Sequence, residues 1–142
     1  MSEIAYIALG SNLGDRHAYL ARARAAIDAI PECRVVAASA VEETAPLGGL
    51  AQPPYLNQML AVETTLDPAV LLARLHDIET EAGRVRSSRW ESRTLDLDIV
   101  LFDDRVVTTP DLMIPHPGLA ERAFWQRELT ALREAMRRGV DE

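Results

Sequence analysis

Two aspartates two residues apart, Asp96 and Asp98, stand in the run R-T-L-D-L-D-I-V-L-F at 93–102. On a strand, residues two apart share a face, so both carboxylates point one way while Leu97, Ile99 and Leu101 face the core. Side-by-side carboxylates repel and call for a cation. A hard divalent ion that keeps waters and phosphate oxygens as its other ligands suits them. Two solvated acids at an exposed strand end would give the same pattern, so the neighbouring sequence decides. Residues 83–93, G-R-V-R-S-S-R-W-E-S-R, hold Arg84, Arg86, Arg89 and Arg93 against the one acid Glu91. Arginine forks match phosphate oxygens in bidentate fashion. Alone, this run reads as a solvated charge stretch; beside D-x-D it reads as an anion site. Carboxylates for Mg²⁺ next to guanidinium groups for phosphate are the parts phosphoryl transfer uses, since positioning and charge neutralisation carry that chemistry. Trp90, a large aromatic inside the polar run, either covers a ligand or packs on the body of the protein.

A third group joins P-P-Y-L-N at 53–57 to P-H-P-G-L-A-E-R-A-F at 115–124. Tyr55 and Asn57 on one strand face offer an aromatic surface and an amide that both donates and accepts, which suits a flat nitrogen heterocycle. Phe124 would supply the opposite face of a stack, although both aromatics fit core positions equally well. No G-x-x-x-x-G-K-[ST] run occurs, so a P-loop is excluded as a motif. G-S-N-L-G-D at 10–15 reads as a tight turn, because Asp15 would oppose an anion at the helix start that follows.

These residues need elements to hold them. Residues 4–9 form an apolar run that suits a buried strand, and Leu20, Ala23, Ile27 and Ile30 recur at helical spacing over 16–29, with Asp15 as cap. A second strand is expected over 34–43, then a Pro- and Gly-rich loop over 44–54. Period-two alternation from Tyr55 to Thr65 puts Leu56, Leu60, Val62 and Leu66 on one side and Tyr55, Asn57 and Met59 on the other. Asp67-Pro68 starts a helix with the apolar stripe Leu71, Leu75, Ile78 and Ala82, which Gly83 ends. Leu95 to Phe102 is a fourth strand, turned at Asp103-Asp104 into a short partner at 105–108. Pro110, Pro115 and Pro117 make an irregular stretch before a last helix from about Arg122, with a frayed tail. The order strand, helix, strand, strand, helix, strand predicts an α+β fold: a ferredoxin-like βαββαβ sandwich with additional C-terminal elements, its helices on one face of the sheet.

The chain has 142 residues, 48% of them apolar, enough for one domain with a core spanning 1–142. Its net charge of −7 argues against nucleic acid or an anionic membrane as partner. No apolar run approaches the ~20 residues of a membrane span, and MSEIAYIALG lacks the pattern of a secretory signal, so a cytoplasmic protein is expected. The single cysteine, Cys33, reads as a structural thiol.

Taken in chain order, YIALGSNLGD, T-A-P-L-G at 44–48, PPYLN, E-x-x-x-G-R-V-R at 79–86, R-W-E-S-R-T-L-D-L-D-I at 89–99 and P-H-P-G-L-A-E-R-A-F resemble the successive motifs of the hydroxymethyl-dihydropterin pyrophosphokinase family. The resemblance implies transfer of the diphosphate of ATP to a reduced pterin alcohol in folate biosynthesis, with release of AMP. It implies that Asp96 and Asp98 bind two Mg²⁺ ions that bridge the ATP phosphates. It further implies that Tyr55 and Phe124 sandwich the pterin, that Asn57 meets its ring edge, and that Thr44 and Leu47 hold it through their backbone. Arg84, Arg93, His116 and Arg122 would contact ATP, with Arg84 and Arg93 on the transferring phosphates. Trp90 and Arg86 would belong to a closing loop, and Glu79 would lie near the nucleotide. The chain departs from the family pattern at Ala45, at Glu91-Ser92, and after Phe124, where W-Q-R-E-L-T-A-L-R-E-A-M replaces the usual apolar segment, a shortened C-terminus. Two other readings remain beside the enzyme: a non-catalytic paralogue that binds pterin or ATP, and a Mg²⁺-dependent phosphohydrolase or nucleotide-binding regulator. A monomer or small homo-oligomer is expected.

Overall fold

A computed structural model of the chain describes residues 2–45, 54–83 and 95–141. Strands β1 (Glu3–Ser11), β2 (Cys33–Ala38), β4 (Tyr55–Thr64) and β5 (Asp96–Phe102) form an antiparallel sheet in the order β2-β4-β1-β5, and β3 (Glu42–Thr44) also pairs with β4. The two central strands are apolar on both sides. Along β1, Ala5, Ile7 and Leu9 enter one core cluster and Tyr6 and Ala8 the other.

Helices α1 (Arg16–Asp28) and α2 (Pro68–Glu81) cover the first face through Leu20, Ala23, Ile27, Leu71 and Leu75, against Leu56, Leu60 and Val62 of β4. The stripes and starts predicted for both helices are present. The Asp15 carboxylate accepts the Ala18 N–H at 3.1 Å, and Pro68 opens α2. Cys33 is a buried thiol that donates to Thr64 Oγ1 at 3.3 Å, and burial raises its pKa. The described residues thus form a mixed α+β protein with an antiparallel sheet and three helices.

The expectation that helices cover one face does not hold. Helix α3 (Ala123–Asp141) lies on the second face, where Trp125, Leu129 and Leu132 pack on Tyr6, Ala8, Met59, Ala61 and Val100. Its backbone stays helical to Asp141, in place of the expected frayed tail. The strand expected over 34–43 is two strands. At Ser39 the hydroxyl accepts the Met59 N–H at 2.9 Å and interrupts the ladder. Leu101 does not share a face with Leu97 and Ile99. Tyr6 pairs with Leu101 and Ile7 with Ile99, so Val100 is an extra residue in β5, and Phe102 takes the core position beyond it. Nor does 105–108 pair with β5: β6 (Val107–Thr108) pairs with β7 (Met113–Ile114). Among the described residues no helix is long and apolar enough to cross a membrane.

Trp125, 3% exposed, is the largest side chain between α3 and the sheet. Its replacement in Trp125→Ala is expected to lower stability by about 3–5 kcal/mol in urea unfolding. A loss below about 1 kcal/mol would mean that α3 is not part of the cooperative fold.

Candidate active site

Among the described residues, the second face carries Asn57, Asp96 and Asp98 on neighbouring rows of the sheet. In the ladder, Gly10 of β1 lies opposite Asn57 of β4 on one side and Asp96 of β5 on the other; Ala8 lies between Met59 and Asp98. Residues opposite one another in antiparallel strands share a face, so Asn57, Gly10 and Asp96 form one row and Asp98 stands in the next. Two strand spacings separate Asn57 from Asp96, about 10 Å. The floor between them is Gly10. A Cβ built there would lie 3.5 Å from both Asn57 Oδ1 and Tyr55 Cδ1, in ordinary contact. A longer side chain would fill the space over the row.

On the β4 side, Asn57 is buried and donates from Nδ2 to Thr44 Oγ1 at 2.6 Å. Thr44 lies opposite Tyr55, so β3 and β4 present Thr44, Tyr55 and Asn57 together. Arg16, at the start of α1, fixes this end of the sheet: it donates to the Pro54 carbonyl at 2.9 Å and to Glu43 at 3.2 Å.

On the β5 side, the extra residue in the strand has a use. The Val100 carbonyl accepts the His116 N–H at 3.0 Å, which brings His116 beside Asp98, with 3.7 Å between Nε2 and Oδ1. His116 Nδ1 accepts the Gly118 N–H at 2.9 Å, so the neutral ring carries its proton on Nε2. Burial lowers the His116 pKa and Arg122 adds to that effect, while Asp98 opposes both; the ring is neutral at neutral pH. Trp125 holds this corner together. Its ring meets His116 edge-on at 4.9 Å, and the Arg122 guanidinium lies 4.3 Å above it. Gly118 permits the close approach, since a Cβ there would come within 3.0 Å of Arg122 Nε and 3.3 Å of His116 Nδ1. Phe124 stands on the first turn of α3, half-buried against the same cluster.

Glu79, expected near the nucleotide, stands beside the aspartates. It is 2% exposed on α2, and its carboxylate accepts the Leu97 N–H, between the two aspartates, at 2.8 Å. Asp96 and Asp98 are half-buried, the Asp98 side chain 42% exposed. Among the described residues no group of three or more His, Cys, Asp or Glu forms a closed metal cage. Two hard oxygen donors on an open face fit an ion such as Mg²⁺ that takes its remaining ligands from water and phosphate. Leu47, Arg84, Arg86, Trp90 and Arg93 lie outside the described residues. Gly10, Gly118 and Trp125 were not singled out from sequence. For Trp125 the signal existed: positions 125, 129, 132 and 136 repeat at helical spacing.

The chain matches the family model described as 7,8-dihydro-6-hydroxymethylpterin-pyrophosphokinase over residues 6–134. It is 44% identical over 124 residues to the 2-amino-4-hydroxy-6-hydroxymethyldihydropteridine pyrophosphokinase of Bacillus subtilis, covering 87% of this chain and 74% of that protein. The protein of the same name from Pseudomonas aeruginosa is also 44% identical, over 87% of this chain and 76% of its own length. The folic acid synthesis protein fol1 of Schizosaccharomyces pombe is 40% identical over 92% of this chain, which spans 18% of that longer protein.

The Glu79 contact generates its own test. Glu79→Leu leaves the Leu97 N–H buried without an acceptor and is expected to cost about 1–3 kcal/mol. Amide exchange at Leu97 should quicken with it. Unchanged exchange there would show that the carboxylate does not hold the strand.

Proposed function

The chain belongs to the 7,8-dihydro-6-hydroxymethylpterin-pyrophosphokinase family, and on that premise we propose how its residues divide the reaction. It is an ATP-dependent diphosphokinase of folate biosynthesis, which transfers the terminal diphosphate of ATP to the hydroxymethyl group of 6-hydroxymethyl-7,8-dihydropterin. The hydroxymethyl oxygen bonds to the β-phosphorus, the bond from that phosphorus to the oxygen of the α-phosphate breaks, and AMP leaves. The hydroxyl proton is given up to water, because Asp98, as a metal ligand, is a weak base.

The observation that carries the residue assignment is the row Asn57, Gly10, Asp96: one heterocycle-binding amide and one metal-binding carboxylate on a single face, with a glycine floor between. Tyr55 and Phe124 stack on the pterin, and Asn57, Thr44 and Leu47 take its polar edge. Asp96 and Asp98 would hold two Mg²⁺ ions, whose chemistry when bound is to neutralise and align the diphosphate. His116 through Nε2–H and Arg122 through its guanidinium bind the nucleotide phosphates, and Arg84 and Arg93 stabilise charge on the bridging oxygen. Trp90 and Arg86 help close the site. Glu79 acts through the β5 backbone as a positioning residue.

The sheet order β2-β4-β1-β5, with α1 and α2 on one face, supports a ferredoxin-like βαββαβ assignment to which α3 is added. Action in the cytoplasm, where ATP is supplied, as a monomer or small homo-oligomer, belongs to the same proposal.

Incubation with ATP, Mg²⁺ and the reduced pterin alcohol is expected to yield AMP and the pterin diphosphate. ADP or phosphate formed without pterin would indicate a hydrolase, and ligand binding without AMP a non-catalytic paralogue. Asp96→Asn and Asp98→Asn should each lower turnover at least about 100-fold while the fold persists. Loss of activity only in step with unfolding would reject the metal role. Gly10→Leu should raise the pterin KM at least about tenfold and leave the ATP Kd within about twofold, whereas Gly10→Ala should be tolerated, given its ordinary contacts. Equal loss of both ligands in Gly10→Leu would remove the glycine floor from the pterin side.

A further inference from the structure

Helix α3 carries an acid within its apolar stripe. Glu128 lies among Trp125, Leu129 and Leu132, is 4% exposed, and has both carboxyl oxygens buried, with no cation bound to them among the described residues. The group beside it is Glu42 of β3. Glu42 stands opposite Asn57 in the ladder, two residues before Thr44, and accepts from Arg127 of α3 at 3.1 Å. Phe124 precedes Glu128 by one helical turn. Glu42 and Glu128 therefore set the helix that bears Phe124 against the strand that bears Thr44, which is paired with Tyr55 and Asn57 of β4.

Burial first, and then the charge of Glu42, push the Glu128 carboxyl up to about 8, with Arg127 opposing. Other charges described on the packed elements have partners of their own. Glu43 pairs with Arg16, Arg34 of β2 pairs with Glu63 of β4, Arg133 lies over the Tyr6 ring at 5.5 Å, and Asp98 faces His116.

We propose that Glu128 is a positioning residue of the pterin slot: its protonated carboxyl seats α3 against β3, and loss of that proton sets two carboxylates against each other and loosens the slot. This rests on the reading that Tyr55, Asn57 and Phe124 bind the pterin. The direction follows from the raised value. Glu128 is neutral below about 8 and ionises as the pH rises through it, so the seated form prevails at neutral pH and is lost in alkali.

Calorimetric titration of the reduced pterin alcohol, with Mg²⁺ and a non-hydrolysable ATP analogue present, tests this on the full chain. Between about pH 7 and pH 9 the pterin Kd should rise about tenfold, because only the protonated fraction is competent. In Glu128→Gln, which cannot ionise, that ratio should fall to about one after the pterin's own ionisation, common to all variants, is divided out. Glu42→Gln, at a partly exposed position, removes the opposing charge and should also shrink the ratio. Binding of the ATP analogue alone should follow the same pH course in all three proteins. A wild-type ratio of one overturns the proposal, and so does a Glu128→Gln and Glu42→Gln pair that keeps the wild-type ratio. If instead Tyr55→Ala and Phe124→Ala leave pterin affinity untouched at both pH values, the slot assignment itself has failed, whatever Glu128 does.

Discussion

The register of β1 between β4 and β5 is the constraint on which the site depends. One residue, Gly10, is opposite both Asn57 and Asp96, and a slip of a single position on either side would turn one of them toward α1 and α2. That slip is opposed from both faces at once. Ala5, Ile7 and Leu9 are committed to one cluster and Tyr6 and Ala8 to the other, so no shifted pairing keeps both cores filled. The chemistry at the top of the sheet is thus located by packing lower down.

Much of this was legible in the sequence because period and chemistry agree. The alternation through Tyr55–Thr65, the D-x-D pair, the Asp15 cap and the Asp67-Pro68 helix start are local signals, and each occurs where local geometry puts it. What escaped was decided between elements. The extra residue Val100 leaves no mark on the apolar run I-V-L-F, yet it moves Leu101 off the Ile99 face and offers a carbonyl to His116. The bond from Glu79 to the Leu97 N–H joins residues eighteen apart, and nothing in the sequence of α2 marks it. The break at Ser39 depends on a hydroxyl that meets the backbone of a strand twenty residues away. Residues 84–94, which hold four of the site's expected side chains, lie outside the described part of the chain.

The segment after Phe124 forms a helix laid on the second face. Helices α1 and α2 cover one side of the sheet, and on the other Trp125, Leu129 and Leu132 pack over Tyr6, Ala8, Met59, Ala61 and Val100. Trp125 does two jobs, since its ring also backs His116 and Arg122. Helix packing and the placement of His116 and Arg122 are therefore coupled through one side chain.

The bond from Glu79 to Leu97 has a consequence for the protein among its neighbours in a crowded cell. In the described sheet β5 is the terminal strand, and an outward backbone donor there invites another chain to add a strand. The buried carboxylate from α2 already occupies the Leu97 donor, so a foreign strand would have to displace an ionisable group held beneath a helix. The same contact that steadies the aspartates thereby guards the open border of the sheet against aggregation.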